Sequence, residues 1–280
     1  MNELSDELIY MLSWYLPKQN AKNLGMTCKK FYNCMLKRIW DDVRLRNYTK
    51  IDLRSLSRLP IRILRVQNFL WMEILALEIH RFSVLQDFFF EYKIVELREI
   101  EMLESCAFAV HVSTKHLLRY VNADEFINLL KRMKNVRLSI EANGFQFKID
   151  DLRKIGGIPI ERFDTGGICF CDALDDYRLA FLQTLELLQP IKIDVKPLPL
   201  CCDGLLKFDA TDLIILSAYP VRSFYIGLIK WQSPLILNPP LRTIKRLFEI
   251  STLKTIFTNY ELEFLNRMSI QKNVSVIRLW

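Results

Sequence analysis

The chain has 280 residues, 51% apolar and 25% charged, with a formal net charge of +7. That balance excludes a disordered chain, and no apolar run reaches the roughly 18 residues a membrane-spanning helix needs. Eight glycines leave little raw material for Gly-rich phosphate loops. The basic residues come one or two at a time, which reads as a solvated surface; a nucleic-acid partner is the other reading of the excess. Seven cysteines, Cys28, Cys34, Cys106, Cys169, Cys171, Cys201 and Cys202, follow an acidic start, "MNELSDELIY". Reduced thiols in the cytoplasm or nucleus are expected, with no bound metal.

The first predicted element is a short amphipathic helix. Ser5 is its N-cap, and Asp6 and Glu7 sit in a first turn that favours negative charge. Leu4 and Ile9 have the spacing of a hydrophobic staple. Leu8, Ile9, Leu12 and Leu16 form an apolar stripe, and Pro17 ends the helix. A second helix follows, with Leu24, Cys28, Phe31 and Met35 on one face and Lys29 and Lys30 turned to water. Trp40 closes the segment. About forty residues is the lower limit for independent folding, so this unit is expected to dock on something.

The ordered set Leu4, Glu7, Leu8, Ile9, Leu12, Leu16, Pro17, Leu24, Cys28, Lys29, Phe31 and Trp40 resembles an F-box. Two positions depart from that pattern: Ser5 stands where Pro is usual, and Thr27 where Val is common. The resemblance implies binding to a Skp-family adaptor, and through it to a cullin. It places the adaptor contact on Leu4, Leu8, Ile9, Leu12, Leu16, Pro17 and Leu24, with Cys28, Phe31 and Trp40 in support.

Beyond Tyr48 the texture changes to short strand-like runs on one template, apolar-x-x-apolar-x-apolar. "IRILRV", "NVRLSI", "IERFDT", "PIKIDV", "VRSFYI", "LKTIFT" and "VSVIRL" fit it, centred on Leu64, Leu138, Phe163, Ile193, Phe224, Ile256 and Ile277. The interval between the first two has room for two more copies, around Phe82 and Phe108. Such recurrence is the mark of leucine-rich repeats, whose period is about 20–29 residues. Helical return paths are expected in "ADEFINLLKRM", "YRLAFLQTLELL" and "PLRTIKRLFEI". The asparagine that often follows the strand is replaced by Phe69, Ile168 and Ile229. The expected class is α/β: an F-box helical domain at 1–48, then an irregular LRR-like solenoid of strand–helix units at 49–280. An irregular α/β domain without true repeats is the alternative.

Catalytic and phosphate-binding motifs are absent. His80, His111 and His116 are scattered. "CFC" at 169–171 and the Cys201–Cys202 pair lack the spacing of a structural zinc site. Asp172, Asp175 and Asp176 read as the acidic lead-in to a helix. The expected function is that of a non-catalytic adaptor without cofactor: the substrate-recognition subunit of a Skp–cullin–F-box ubiquitin ligase. A basic nucleic-acid-binding protein is the alternative. Strand alternation sends Arg65, Ser139, Asp164, Asp194, Tyr225, Phe257 and Arg278 to the face opposite the core, where a protein substrate is expected to dock.

Overall fold

A computed structural model describes residues 5–46, 53–68, 78–170, 177–198, 206–230, 241–259 and 263–279. They form an α/β protein in two compact units. The first comprises residues 1–111 with 133–135, the second 112–132 with 136–280. The helical segment thus shares a unit with strands, and the expected 48/49 boundary falls outside the described residues.

In the first unit α1 spans Asp6–Tyr15, and the Ser5 hydroxyl accepts from the Leu8 amide at 3.3 Å. The second helix expected from the sequence is two helices, α2 (Lys18–Gly25) and α3 (Lys29–Trp40). The Thr27 hydroxyl donates to the Leu24 carbonyl at 2.6 Å, and the Cys28 sulfur accepts from the Phe31 amide at 3.5 Å. Two side chains that satisfy backbone groups break the helix here. Cys28 is therefore an exposed N-cap rather than a member of an inward helix face. Ile9, Ala21, Phe31, Met35 and Ile39 form the core of the three helices, with Leu16, Leu24, Cys34 and Trp40 packed on its edge.

The chain then enters strands at once. β1 (Asp42–Leu45), β2 (Ile63–Val66), β3 (Asp87–Phe90) and β4 (Ala109–Ser113) pair in parallel in chain order. Between the first two lies α4 (Leu53–Ser57). Val43, Leu45, Leu64, Val66, Phe88 and Phe90 are buried. Two strands, β3 and β4, therefore occupy the interval where two more copies of the template had room. The first sits later than expected, because Phe82 ends a 3₁₀ turn, Ile79–Arg81, instead of centring a strand. β1 was not signalled by the template.

The second unit contains β5 (Val136–Ile140), β6 (Phe147–Lys148), β7 (Ile160–Asp164), β8 (Ile168–Cys169), β9 (Ile193–Val195), β10 (Val221–Tyr225), β11 (Thr255–Thr258) and β12 (Ser275–Arg278). β5, β7, β9, β10, β11 and β12 pair in that order, all in parallel, while β6 pairs with β8. Parallel neighbours need crossovers. Helices Ala123–Arg132, Tyr177–Leu188 and Leu241–Leu247 lie where the sequence placed return paths. A file of rings, Phe163, Phe181, Phe208 and Phe224, runs through this core with successive centroids 5.8 Å apart.

Short 3₁₀ turns follow three strands: Thr114–His116, Thr165–Gly167 and Ile226–Leu228. Thr114 donates to the Glu141 carbonyl at 2.9 Å and accepts from the Glu141 amide at 2.8 Å. Thr165 does the same with Lys196, at 3.1 and 2.8 Å. A threonine hydroxyl, both donor and acceptor, thus satisfies backbone groups just past the neighbouring strand. Ile168 and Ile229 are buried core residues.

Register corrects one assignment. Val276, not Ile277, pairs with Ile256; Ile277 pairs with Phe257, and Arg278 with Thr258. Ile277 is 44% exposed, so the expected alternation in β12 is displaced by one residue. Shifts between Leu138 and Ser139 and between Val221 and Ser223 also interrupt the row of intervening residues. Ser139 is level with Arg162, Asp194 with Ser223, and Tyr225 with Phe257.

Candidate protein-binding surfaces

α1 is apolar on more than the face that packs inward. Ile9 is fully buried and Leu16 partly so, but Leu8, Leu12, Met11 and Tyr15 are 47%, 48%, 55% and 84% exposed. Positions 8, 11, 12 and 15 share one side of a helix. The expected stripe of Leu8, Ile9, Leu12 and Leu16 is therefore two faces, one structural and one open to solvent. Met11 and Tyr15 were missed by the sequence reading, although their spacing from Leu8 carried the signal. Phe31 and Trp40 belong to the helical core and its edge, Leu24 packs beside them, and Pro17 is exposed between α1 and α2. Leu4 lies outside the described residues.

The residues expected to face a substrate do not form one open row. Tyr225 is 6% exposed, Asp194 3% and Asp164 1%. The Tyr225 hydroxyl accepts from Asn259 Nδ2 at 2.8 Å. Phe257 and Ser139 are half-buried, and Arg278 is exposed. In the first unit Arg65 donates from Nε to Asp42 at 3.1 Å, pairs with Glu91 at 3.6 Å and lies 4.2 Å over the Phe89 ring. Its donors are committed within the protein.

Internal polar order replaces the expected docking row. Arg162 donates from Nη1 to Glu141 at 2.8 Å and from Nε to Asp194 at 2.7 Å. Ser113 donates to Glu141 at 2.5 Å, and Ser223 to Asp194 at 2.7 Å. Burial pushes both carboxyls up. At Glu141 the Ser113 hydrogen bond and the Lys115 and Arg162 charges outweigh it; at Asp194, Ser223, Arg162 and Lys192 do. Both end below the usual carboxylate range. Asp164 goes the other way: burial lifts it despite Lys196 at 2.5 Å and the Gly166 amide at 2.9 Å. Glu141 and Arg162 were missed because the template reads only apolar positions: Glu141 falls just past β5 and Arg162 in the middle of β7.

No family model and no curated protein matches this chain.

Among the described residues no group of three or more His, Cys, Asp or Glu is arranged to hold a metal ion. Among them, too, no helix is long and apolar enough to cross a membrane. Cys28, Cys34, Cys106 and Cys169 are free thiols. Cys171, Cys201, Cys202, Asp172, Asp175, Asp176 and Phe69 lie outside the described residues. His111 stacks on Phe89 at 3.9 Å between centroids and contacts Asp87 at 2.7 Å, so it is a structural side chain of the strand surface.

Proposed function

We propose that this protein is a non-catalytic substrate-recognition subunit of a Skp–cullin–F-box ubiquitin ligase. In this reading α1–α3 bind a Skp-family adaptor, and an LRR-like array of strand–helix repeats carries a protein substrate. The observation that carries the reading is the exposed row Leu8, Met11, Leu12 and Tyr15 on a helix whose adjacent face is already packed by Ile9 and Leu16. A folded helix that leaves four large apolar side chains in water has the character of an interface. The ordered F-box-like residues supply the partner class. The repeat reading is supported by parallel strands paired in chain order and by the threonine bonds that step from repeat to repeat. The nucleic-acid alternative gains nothing from the structure: Arg44, Arg62, Arg65, Arg162 and Arg178 each pair with a carboxylate.

Affinity purification of the intact chain tests the proposal. The wild type should capture a Skp-family adaptor, and Leu8→Ala with Leu12→Ala should lose it. Truncating one anchoring side chain in a buried interface costs about 2 kcal/mol, roughly thirtyfold in affinity. Failure of the wild type to capture such an adaptor, or undiminished capture by the double variant, overturns the reading.

A further inference from the structure

In the second unit three carboxylates lie beneath four cations on one face of the sheet. Lys115 pairs with Glu141 at 3.2 Å, and Arg162 bridges Glu141 and Asp194. Lys192 lies 3.6 Å from Asp194, and Lys196 pairs with Asp164 at 2.5 Å. Asp164 and Asp194 are level on β7 and β9, so the pairs form one continuous patch. Arg162 and Asp164 alternate with the buried Phe163, and Lys192 and Asp194 with the buried Ile193, which sets the patch opposite the core.

The two signs are layered. The side chains of Glu141, Asp194 and Asp164 are 11%, 5% and 1% exposed, whereas those of Lys115, Arg162, Lys192 and Lys196 are 45%, 31%, 31% and 33% exposed. The acceptors of the lower layer are taken. Glu141 Oε1 accepts from Arg162 and Oε2 from Ser113; Asp194 Oδ1 accepts from Ser223 and Oδ2 from Arg162. Asp164 Oδ1 accepts from the Gly166 amide, and its Oδ2 meets Lys196. A basic partner would meet cations first and find each carboxylate oxygen already engaged. An acidic partner meets the positive ends of the ion pairs, in a patch with one more cation than carboxylates. None of these residues is aromatic, so bases of a single-stranded nucleic acid would find no stacking surface among them.

Spacing narrows the partner further. Lys115 sits beside Glu141 at the end of β5, Lys192 and Lys196 flank β9, and β7 lies between. Two strand spacings are about 10 Å, and an extended polypeptide advances about 3.3 Å per residue. Carboxylates about two or three residues apart therefore cover the distance. We infer that this patch docks an extended acidic segment of a partner polypeptide, one carboxylate against Lys115 and Arg162 and the next against Lys192 and Lys196. The inference rests on the reading of the repeats as the substrate-carrying part, and it names the chemistry of what they carry.

The test uses the full chain and rhodamine-labelled Gly-Glu-Ala-Glu-Glu-Ala-Glu-Gly-amide, followed by fluorescence anisotropy. Anisotropy should rise saturably, and the unlabelled peptide should reverse it. The same peptide with Gln in place of every Glu should do neither. Lys115→Gln combined with Lys192→Gln should weaken binding about tenfold, as loss of two partly exposed charge contacts does. Glu141 and Asp194 keep Arg162 in that variant, and a thermal melt checks its fold. If it does not fold, Lys192→Gln alone carries the comparison. Lys272→Gln removes an exposed charge from helix Glu263–Lys272 and should leave binding unchanged. Absence of saturable binding, equal binding of the Gln peptide, equal loss in Lys272→Gln, or stronger competition by an oligothymidylate than by the Glu peptide overturns the proposal. Adaptor capture through α1 is a separate measurement, so its failure overturns the ligase reading without altering the peptide result.

Discussion

The Arg162 Nε donates to Asp194 Oδ2 at 2.7 Å across the β7–β9 step, while the same guanidinium reaches back to Glu141 on the other side. One side chain therefore bridges two carboxylates that are themselves 11% and 5% exposed, with Lys115 also on Glu141 and Lys192 on Asp194. Arg162→Met takes the shared guanidinium from both and leaves Glu141 with Lys115 and Asp194 with Lys192. Breaking a buried pair by removing one partner costs about 3 kcal/mol or more. The expected result is a lower denaturant midpoint at unchanged slope. Adding Glu141→Gln and Asp194→Asn should recover part of the loss, because the two buried carboxylates that have lost their guanidinium are then neutral.

The same carboxylates set an acid limit. Glu141 and Asp194 titrate below their usual range in the folded chain. Their contribution is present above the unfolded carboxylate value, about 4, and is lost as pH falls through the folded value. Asp164 is raised and has the opposite sign: its contribution is full at low pH and is lost as pH rises through its folded value. Denaturation at about pH 7 and about pH 4 should show Asp164→Asn faring better, relative to wild type, at the higher pH.

Three neighbours on α1 should separate structure from surface. Ile9→Ala removes a fully buried side chain and should cost about 2–4 kcal/mol. Leu8→Ala and Leu12→Ala remove half-exposed ones and should each stay within about 0.5 kcal/mol. Thermal melts of the three single variants decide it. Equal losses would mean that the outward row is packed after all.

Tyr225 and Phe257 should differ for a related reason. Tyr225 is buried, and its hydroxyl is hydrogen-bonded to Asn259, whereas Phe257 is half-buried. Tyr225→Ser should therefore destabilise the second unit by about 3 kcal/mol, and Phe257→Ser by clearly less. Equilibrium unfolding of both variants is the measurement.

Gly144 is fixed by space. A Cβ there would lie 2.0 Å from the Thr114 carbonyl oxygen and 2.7 Å from the Lys115 Cα. These are backbone atoms, so the 3₁₀ turn itself would have to move. Gly144→Ala should cost about 3 kcal/mol in equilibrium unfolding. It should also disturb the Thr114–Glu141 bonds, visible as faster exchange of the Glu141 amide.

Much of the strand pattern was legible because apolar alternation is a strong local signal. Leu64, Leu138, Phe163, Ile193, Phe224 and Ile256 are all buried in strands. β12 misled because Val274, Val276, Ile277 and Leu279 allow either alternation, and pairing with β11 decides between them. β1 escaped because "DVRL" is four residues long and carries two charges. On α1 the period was readable but its direction was not: a helix apolar on several sides does not say which side meets its own core. The polar ladder was illegible because Glu141, Arg162 and Asp194 are distant in sequence, and only the strand register brings them level.

That ladder has a bearing on how the chain can change in length. Repeat arrays are open to gain and loss of whole units where each interface resembles the next. Around β7 the interfaces are not alike. Glu141, just past β5, and Arg162, Asp194 and Ser223 on the next three pairing strands alternate acceptor with donor. Excising the β7 repeat would bring two carboxylates face to face. Duplicating it would set one guanidinium against another. The segment from β5 to β10 is therefore locked in copy number by its charges, and insertions during evolution or in engineering belong in the connecting loops instead.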